Sequence, residues 1–426
     1  MIDTIFAISS GRPPAGIAVI RVSGPMAMAA ATSLAGTLPS PRQATLRPLR
    51  NADRMLLDRA LVIVFPGPRT ATGEDVVELH CHGGRAVVAA VERALGETPG
   101  CRIAEPGEFT RRALMHGRID LAEAEGLADL LEAETETQRI AALAAAEGRI
   151  SRQITRWLDG IAILSARIEA VLDHADEDDV DAGDHEVARI IREMHDLAAE
   201  IGAVAAAPPV ERLRDGIRVV IGGSPNAGKS TLLNLLAERD AAIVSPIAGT
   251  TRDRIEATVM RRGIAYILLD TAGLTETDDA VEAIGVERAN QAIQSADILL
   301  WLDDIRPPRT DALWVYPRAD LPERHGMPEG PTMAVRQDRS ESIDRLWQEI
   351  EQRAVSLLPQ ADTLPLRERH RMLCRDAVAG MKTSTNDPLL IGEHLRCARV
   401  ALAGIVGTDA TEIMLDALFS RFCLGK

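Results

Sequence analysis

The sequence predicts a multidomain protein of α/β and α class, with an N-terminal α+β domain, a discontinuous helical domain and an α/β domain inserted between the two helical segments. Three observations predict it. Within 1–118, short β-type runs (GIAVIRVSG, RALVIVFPG, DVVELHCHGG) alternate with Pro/Gly turns, around one amphipathic stretch at Ala86–Leu95. Within 119–213, Ile150, Ile154, Trp157, Leu158, Ile161, Leu164, Ile168 and Leu172 recur at three- and four-residue steps, the spacing of one buried helical stripe. From 214 to 357 strand and helix patterns alternate, and 358–426 is helical again. Neither helical segment can bury its stripe alone, so the two are expected to pack together around an inserted domain whose ends lie close.

Composition narrows the functional classes. A chain of 426 residues holds two to four domains, and with 46% apolar and 26% charged residues it is ordinary globular protein. Aromatics are only 3%, so the cores are built from Leu, Ile, Val and Ala. The charge sum, 48 − 63 = −15, excludes a broad basic face for non-specific contact with nucleic acid or anionic membrane, and leaves room only for a local basic patch. Cys81, Cys101, Cys374, Cys397 and Cys423 stand singly, with no CxxC pair, which argues against a disulfide framework or zinc knuckle and for a reducing, cytoplasmic setting. The N-terminus carries Asp3 and meets Gly and Pro too early for a signal peptide, and no 18 apolar residues run together, so no membrane association is expected.

Two clusters read as structural. Asp173–Glu186 holds eight carboxylates at spacings that fit no EF-hand loop, and is expected to be a solvated connection before a second helical run at Val187–Val204, which reaches a linker near Pro208. His80 and His82 share one face of a strand with no third metal ligand nearby, so a hydrogen-bonded role is expected.

The chemical signal is GSPNAGKS, Gly223–Ser230, between the apolar strand Ile217–Ile221 and the amphipathic helix STLLNLLAER. In this context backbone N–H groups of the loop converge on phosphate oxygens, Lys229 meets the β/γ-phosphates, and the Ser230 hydroxyl ligates Mg²⁺. IAYILLDTAG, Ile264–Gly273, ends a strand in Asp270 near the magnesium, followed by Thr271, Ala272 and Gly273. AGTTRD, Ala248–Asp253, adds Thr251 as a second magnesium hydroxyl. This trio marks a GTPase. The guanine-reading stretch is WVYPRADL, in which Pro317 and Arg318 replace the usual Asn and Lys while Asp320 is kept for the base; MAVR, Met333–Arg336, occupies the place of a second base loop. Leu274 follows DTAG where many GTPases carry a water-orienting Gln, so water positioning comes from elsewhere, and Glu282 lies in the expected second switch.

AGTTRD, Asn226 inside the P-loop, DTAGL followed by VEAIGVERA, and the terminal FCLGK together resemble the MnmE/TrmE family of tRNA-modification GTPases. DTIFAIS, GIAVIRVSG, GEDVVELHCHGG and PGEFTRRALMHGRIDLAEAE extend the resemblance over nearly the whole chain; Pro317, Arg318, Arg118 (usually Lys) and Leu424 (usually Ile) depart from it.

The resemblance implies an N-terminal folate-binding and dimerisation domain at 1–118, helical segments at 119–213 and 358–426, and a Ras-like P-loop G domain at 214–357. It implies GTP contacts from Asn226, Ala227, Gly228, Lys229, Ser230 and Thr231, from Ser245, Ile247, Gly249, Thr250 and Thr251, and from Asp270, Thr271, Ala272, Gly273 and Asp320. K⁺ would be held by Asn226 with Ser245, Ile247 and Thr250, standing where an arginine finger offsets charge in phosphoryl transfer. Glu282 would position water, with Lys229 on the phosphates. A tetrahydrofolate derivative would be held by Arg21, Glu78, Arg118 and Lys426, since a pterin needs a carboxylate acceptor and its glutamyl tail needs cations. Cys423 would lie beside it, as structure or nucleophile; its CxxK setting is a poor prenylation box.

The implied partners are a second copy of the chain, an FAD-binding protein of MnmG/GidA type in a heterotetramer, and tRNA. The implied reaction is addition of a carboxymethylaminomethyl or aminomethyl group at C5 of the tRNA wobble uridine. The alternative, a GTP-driven ribosome-assembly or regulatory switch, leaves the folate domain and FCLGK tail without purpose.

Overall fold

Val/Ile-rich runs of period two pair into sheets in this chain, and Leu/Ala stretches repeating every three to four residues coil into helices. The computed structural model describes residues 3–173, 180–238, 256–271, 282–321, 324, 329–336, 339–360, 363–382, 384–407, 411–422 and 425. Its elements run β1 (Thr4–Ile8), β2 (Ile17–Ser23), α1 (Ala27–Ala35), β3 (Thr45–Arg50), β4 (Leu56–Phe65), β5 (Val76–His82), α2 (Arg85–Gly96), β6 (Cys101–Ile103), α3 (Glu108–Met115), α4 (Leu121–Glu132), α5 (Glu136–Ala146), α6 (Arg149–Asp173) and α7 (Val180–Ala206). They continue α8 (Glu211–Asp215), β7 (Ile217–Gly222), α9 (Lys229–Glu238), β8 (Glu256–Arg261), β9 (Ile264–Asp270), α10 (Glu282–Ser295), β10 (Ile298–Trp301), β11 (Leu313–Tyr316), β12 (Met333–Ala334), α11 (Ser340–Leu357), α12 (Glu368–Met381), α13 (Pro388–Val406) and α14 (Glu412–Phe419). Two compact units result, one from Met1–Leu131, Ala145–Ile190 and Thr385–Lys426, the other from Glu132–Ala144 and Ile191–Ser384.

The first unit contains a sheet in the order β3-β4-β5-β2-β1-β6, antiparallel except where β1 runs parallel to β6. Strand alternation gives it two unlike faces. Phe6, Ile20, Val22, Val62, Val77 and Leu79 bury one face together with side chains of α1 and α2. On the other face Ala7, Arg21, Glu78 and Ile63 lie in register, and cover comes at the Ile5–Ala7 end from Ala104 and Phe109 of α3. Pro48 sits within β3, which is tolerated because β3 is an edge strand.

In α6, Ile150, Ile154, Trp157, Ile161, Leu164 and Ile168 are buried, each worth roughly 1.5–3 kcal/mol relative to exposure. Leu158 and Leu172, at the stripe's margin, are half-buried. The partner of this stripe is α13, which presents Ile391, Leu395, Ala398, Leu402 and Ile405. Asp387 caps α13 by accepting from Leu389 N–H, and Pro388 opens its first turn.

The second unit holds a sheet in the order β12-β11-β10-β7-β9-β8, parallel except for β8 against β9. Leu232, Leu236, Ile343, Leu346 and Trp347 from α9 and α11 cover one face, with Tyr266 edge-on to Trp347 at 5.2 Å. Ala292, Ile293 and Ala296 of α10 and its end cover the other. Because β7, β9, β10 and β11 are parallel, the turns that follow them gather at one end of the sheet. The later part of α7 pairs with α12, where Arg371 Nε donates to the Ala205 carbonyl at 3.0 Å.

One boundary differs from expectation: α7 starts at Val180, so the acidic stretch continues into helix before Val187. Carboxylates in the opening turns are stabilised by the helix dipole, and Glu186 also accepts from Arg167 Nε at 2.7 Å. Residues 174–179 of that stretch lie outside the described residues. Among the described residues no helix is long and apolar enough to cross a membrane.

Candidate functional site

The glycine-rich turn leaves β7 at Gly222 and enters α9 at Lys229. Its shape depends on residues without side-chain obstruction. Gly223 has φ +142°, and a Cβ there would lie 2.0 Å from the Leu302 carbonyl oxygen. Asn226 adopts a left-handed φ of 63°, which Asn tolerates better than most side chains. Lys229 is 5% exposed, and its ammonium donates to the carbonyls of Gly223 at 3.0 Å and Ser224 at 2.9 Å. Burial pushes its pKa down while the carboxylates of Asp270 and Asp303 oppose the shift.

Asp270 closes β9 opposite Ile221 and accepts a hydrogen bond from the Ser230 hydroxyl. A hydroxyl and a carboxylate side by side are the hard oxygen donors that suit Mg²⁺. Thr271 is pinned against β7, its hydroxyl donating to the Ile221 carbonyl at 3.0 Å.

Asp303, beyond the end of β10, is a site residue the sequence reading missed. It accepts from the Ser224 N–H at 3.0 Å and from the Ser224 hydroxyl, and its second oxygen accepts from Ile305 N–H at 3.2 Å. Burial alone would raise its pKa; the Ser224 and backbone donors outweigh this and hold it low. The available signal was the one that identified Asp270, an acid at the carboxyl end of an apolar run.

At the β11 end, Arg318 has φ +55° and lies over the loop, its Nε 3.3 Å from where a Cβ on Gly228 would stand. Gly228, Leu232, Leu235, Leu302, Pro317, Arg318 and Val335 line a narrow cleft here. Asp320 follows, half-buried. The structure thus brings Gly228, Lys229, Ser230, Asp270, Thr271 and the Pro317–Arg318 turn to one end of one sheet. Ser245, Ile247, Gly249, Thr250, Thr251, Ala272, Gly273 and the Glu282 side chain lie outside the described residues; the Glu282 backbone opens α10.

A second constellation lies in the first unit. Arg21 donates to Glu78 Oε1 from Nε at 3.1 Å and Nη2 at 2.9 Å, and its guanidinium lies 5.9 Å from the Phe109 ring centroid. The other Glu78 oxygen meets His80 Nε2 at 3.2 Å. Burial would raise the Glu78 pKa, but the Arg21 and His80 hydrogen bonds prevail and hold it below the usual range. His82 turns to Asp58 at 2.7 Å, so both histidines of this strand end have carboxylate partners.

On one side of Arg21 along β2, Ser23 meets Thr72 at 2.7 Å, and the neighbouring Thr70 carbonyl accepts from Arg118 Nε at 3.2 Å. On the other side Ser9 extends β1 past Ala7, and its hydroxyl donates to the Gly425 carbonyl at 2.8 Å. The end of the chain therefore docks on the face that carries Arg21 and Glu78, anchored by Phe422 in a cluster with Leu121, Leu418 and Phe419. Cys423, Leu424 and Lys426 lie outside the described residues.

Next to Ser23, on the α3 side of this face, Arg112, 1% exposed, donates to Asp3, Glu74 and Glu108, and Arg102 closes the ring through Asp3 and Glu108. Sequence reading missed this network because its members are up to 109 residues apart.

Residues 4–118 match the family model described as the GTP-binding protein TrmE N-terminus, and residues 121–423 match the MnmE helical domain. The chain belongs to the MnmE family. It is 50% identical over 428 residues to the tRNA modification GTPase MnmE of Erythrobacter litoralis, with both chains covered in full. The MnmE of Rhizorhabdus wittichii is 52% identical over 431 residues, covering all of this chain and 97% of its own. That of Zymomonas mobilis is 48% identical over 433 residues, covering 99% and 100%.

Proposed function

We propose that this chain is a K⁺-activated GTPase of the cytoplasm that, with an FAD-binding partner of MnmG/GidA type, serves folate-dependent addition of a carboxymethylaminomethyl or aminomethyl group at C5 of the tRNA wobble uridine. The observation that carries this reading is the docking of Gly425 on Ser9, beside the Arg21–Glu78 pair, in a chain that also has a phosphate loop. A GTP-driven switch has no use for that second constellation.

In this reading residues 214–357 form an inserted G domain. The loop amides and Lys229 hold the GTP phosphates, Ser230 and Asp270 with Thr251 hold Mg²⁺, and Asp320 accepts from the guanine N–H donors. Asn226, with Ser245, Ile247 and Thr250, would hold K⁺, whose charge would offset that developing on the phosphates. Glu282 orients the attacking water. Asp303 fixes Ser224 so that the loop keeps its curvature before the phosphates arrive.

Residues 1–118 bind the folate. The carboxylate of Glu78, kept ionised, accepts from pterin N–H groups, while Arg21, Arg118 and Lys426 attract the glutamyl tail. Bound folate would supply the one-carbon unit, with Cys423 serving this site as structure or nucleophile. The same sheet face exposes Ile17 (62%) and Leu61 (42%), apolar surface that supports homodimerisation through this domain. The test is mass spectrometry of wobble nucleosides in tRNA from a strain lacking the gene. Loss of C5 modification is expected; unaltered nucleosides refute the reading.

A further inference from the structure

We propose that the edge strand β3 and the turn after it form a confined RNA-docking ridge, with Arg42, Arg47, Arg50 and Arg54 contacting the phosphate backbone of the tRNA. The inference rests on the tRNA reading above and adds where the chain touches the nucleic acid. Its starting point is charge. Residues 40–55 carry these four arginines against one acid, Asp53, in a chain of net charge −15.

Among the described residues none of the four makes an ion pair, whereas Arg21, Arg102, Arg111, Arg112 and Arg167 of the same unit each hold a carboxylate. Instead Arg42 and Arg50 are held by main-chain carbonyls, and Arg42 also lies 5.5 Å from the Phe65 ring centroid. Arg50 Nη1 donates to the Arg54 carbonyl at 2.8 Å, and Arg42 Nη2 to the Arg69 carbonyl at 2.5 Å. Arg42, Arg50 and Arg54 are exposed; Arg47 is half-buried, with a buried Nε lacking a protein acceptor.

Backbone strain gives a second, independent observation. Arg42 has φ 62° and Arg54 φ 63°, left-handed conformations that glycine or asparagine adopts at lower cost. Arginine held there in the turns on either side of β3 points to a use for the side chain that outweighs the strain.

β3 is an edge strand, and among the described residues no strand pairs with its outer edge. From Arg42 to Arg50 the chain spans up to about 27 Å at 3.3–3.4 Å per residue, a length that suits successive phosphates. Guanidinium forks bind phosphate oxygens bidentately. This is how a chain whose overall field repels RNA can still hold it, since charges more than a Debye length of roughly 8–10 Å from the ridge are largely screened.

The test uses the full-length protein, an unmodified tRNA transcript bearing a wobble uridine, and the variant Arg47→Gln, Arg50→Gln, Arg54→Asn with Arg42→Asn. The asparagines keep the left-handed positions accessible. Expected is a Kd raised at least about tenfold in 0.1 M KCl, and a log–log salt slope reduced by about 3, as removal of four phosphate contacts requires. GTP turnover and 5-formyltetrahydrofolate affinity should be unchanged, which shows that the variant is folded.

Equal affinity and slope in wild type and variant overturn the inference, as does a wild type that binds no tRNA. A variant that assembles beyond the wild type's dimer while keeping its RNA affinity also overturns it, and makes the arginines guards of the sheet edge. Loss of partner-protein binding with RNA affinity intact overturns it in favour of a protein interface. The wobble-nucleoside measurement tests the parent reading separately, because it asks about modification and not about this ridge.

Discussion

Gly425→Ala isolates the contribution of the docked chain end. At φ +89° an added Cβ would lie 1.9 Å from the Ile8 carbonyl oxygen, 2.6 Å from its carbon and 2.9 Å from Ser9 Cα. All three are backbone atoms, which cannot rotate aside. Ordinary carbon contacts lie near 3.5–4.0 Å, so the segment must withdraw by more than about 1 Å, and the 2.8 Å bond from Ser9 is lost. With it goes the cation that the folate reading assigns to Lys426.

A hydrogen bond to a charged group is worth about 1.5–3 kcal/mol, so the Kd for 5-formyltetrahydrofolate should rise about 10- to 150-fold by calorimetry. Phe422 stays in its cluster, so Tm should fall little and GTP hydrolysis should persist. A chain ending at Phe422 should show the same loss, since both changes act through the same segment. Unchanged affinity in Gly425→Ala refutes the placement of the tail in the folate site.

Other perturbations separate the second unit's roles. Glu282→Ala should cut GTP hydrolysis about 100-fold or more with nucleotide affinity kept; collapse of affinity would make the residue structural. Turnover should rise sharply when K⁺ replaces Na⁺, and equal rates in both salts would exclude the proposed cation. Gly223→Ala, whose Cβ would meet the Leu302 carbonyl at 2.0 Å, should abolish nucleotide binding in fluorescence titration while folate still binds; retained GTP affinity would contradict the loop geometry.

Arg112→Met takes the arginine from Glu74, leaves Asp3 and Glu108 with Arg102 alone, and should cost about 3 kcal/mol. For Asp3 and Glu108 burial raises the pKa, but hydrogen bonds from Arg102 and Arg112 or backbone N–H groups leave it lowered on balance. A depressed folded pKa contributes stability above the unfolded value and loses it as pH falls through the folded value. Wild type should therefore weaken below about pH 4.5, and the variant less steeply, in thermal melts from pH 7 to 3.

What was legible in the sequence was local. GSPNAGKS declares its turn because the motif is contiguous, between an apolar strand run and an amphipathic helix run, and the α6 stripe declares itself because six buried positions share one face. Arg21 and Glu78 were named from a resemblance, and their pairing needed the β2–β5 register to put them side by side. Asp303 and Arg112 were missed because an acid after a strand and an arginine in a helix are common, and only folding brings Ser224 or Asp3 to them. The helix start at Val180 was misjudged because eight carboxylates read as solvated chain, although acids near a helix start favour helix.

The pairing of α6 with α13 sets an order of events during synthesis. The stripe from Ile150 to Ile168 is complete long before Pro388 exists, a delay of about 10–40 s at 5–20 residues per second. Throughout that interval Trp157 and five aliphatic neighbours face the ribosome surface and any chaperone in reach, while the second unit condenses from the intervening chain. A message broken before codon 388 would therefore release a product with a sticky helix and no lid, marked for proteolysis by its own unfinished architecture.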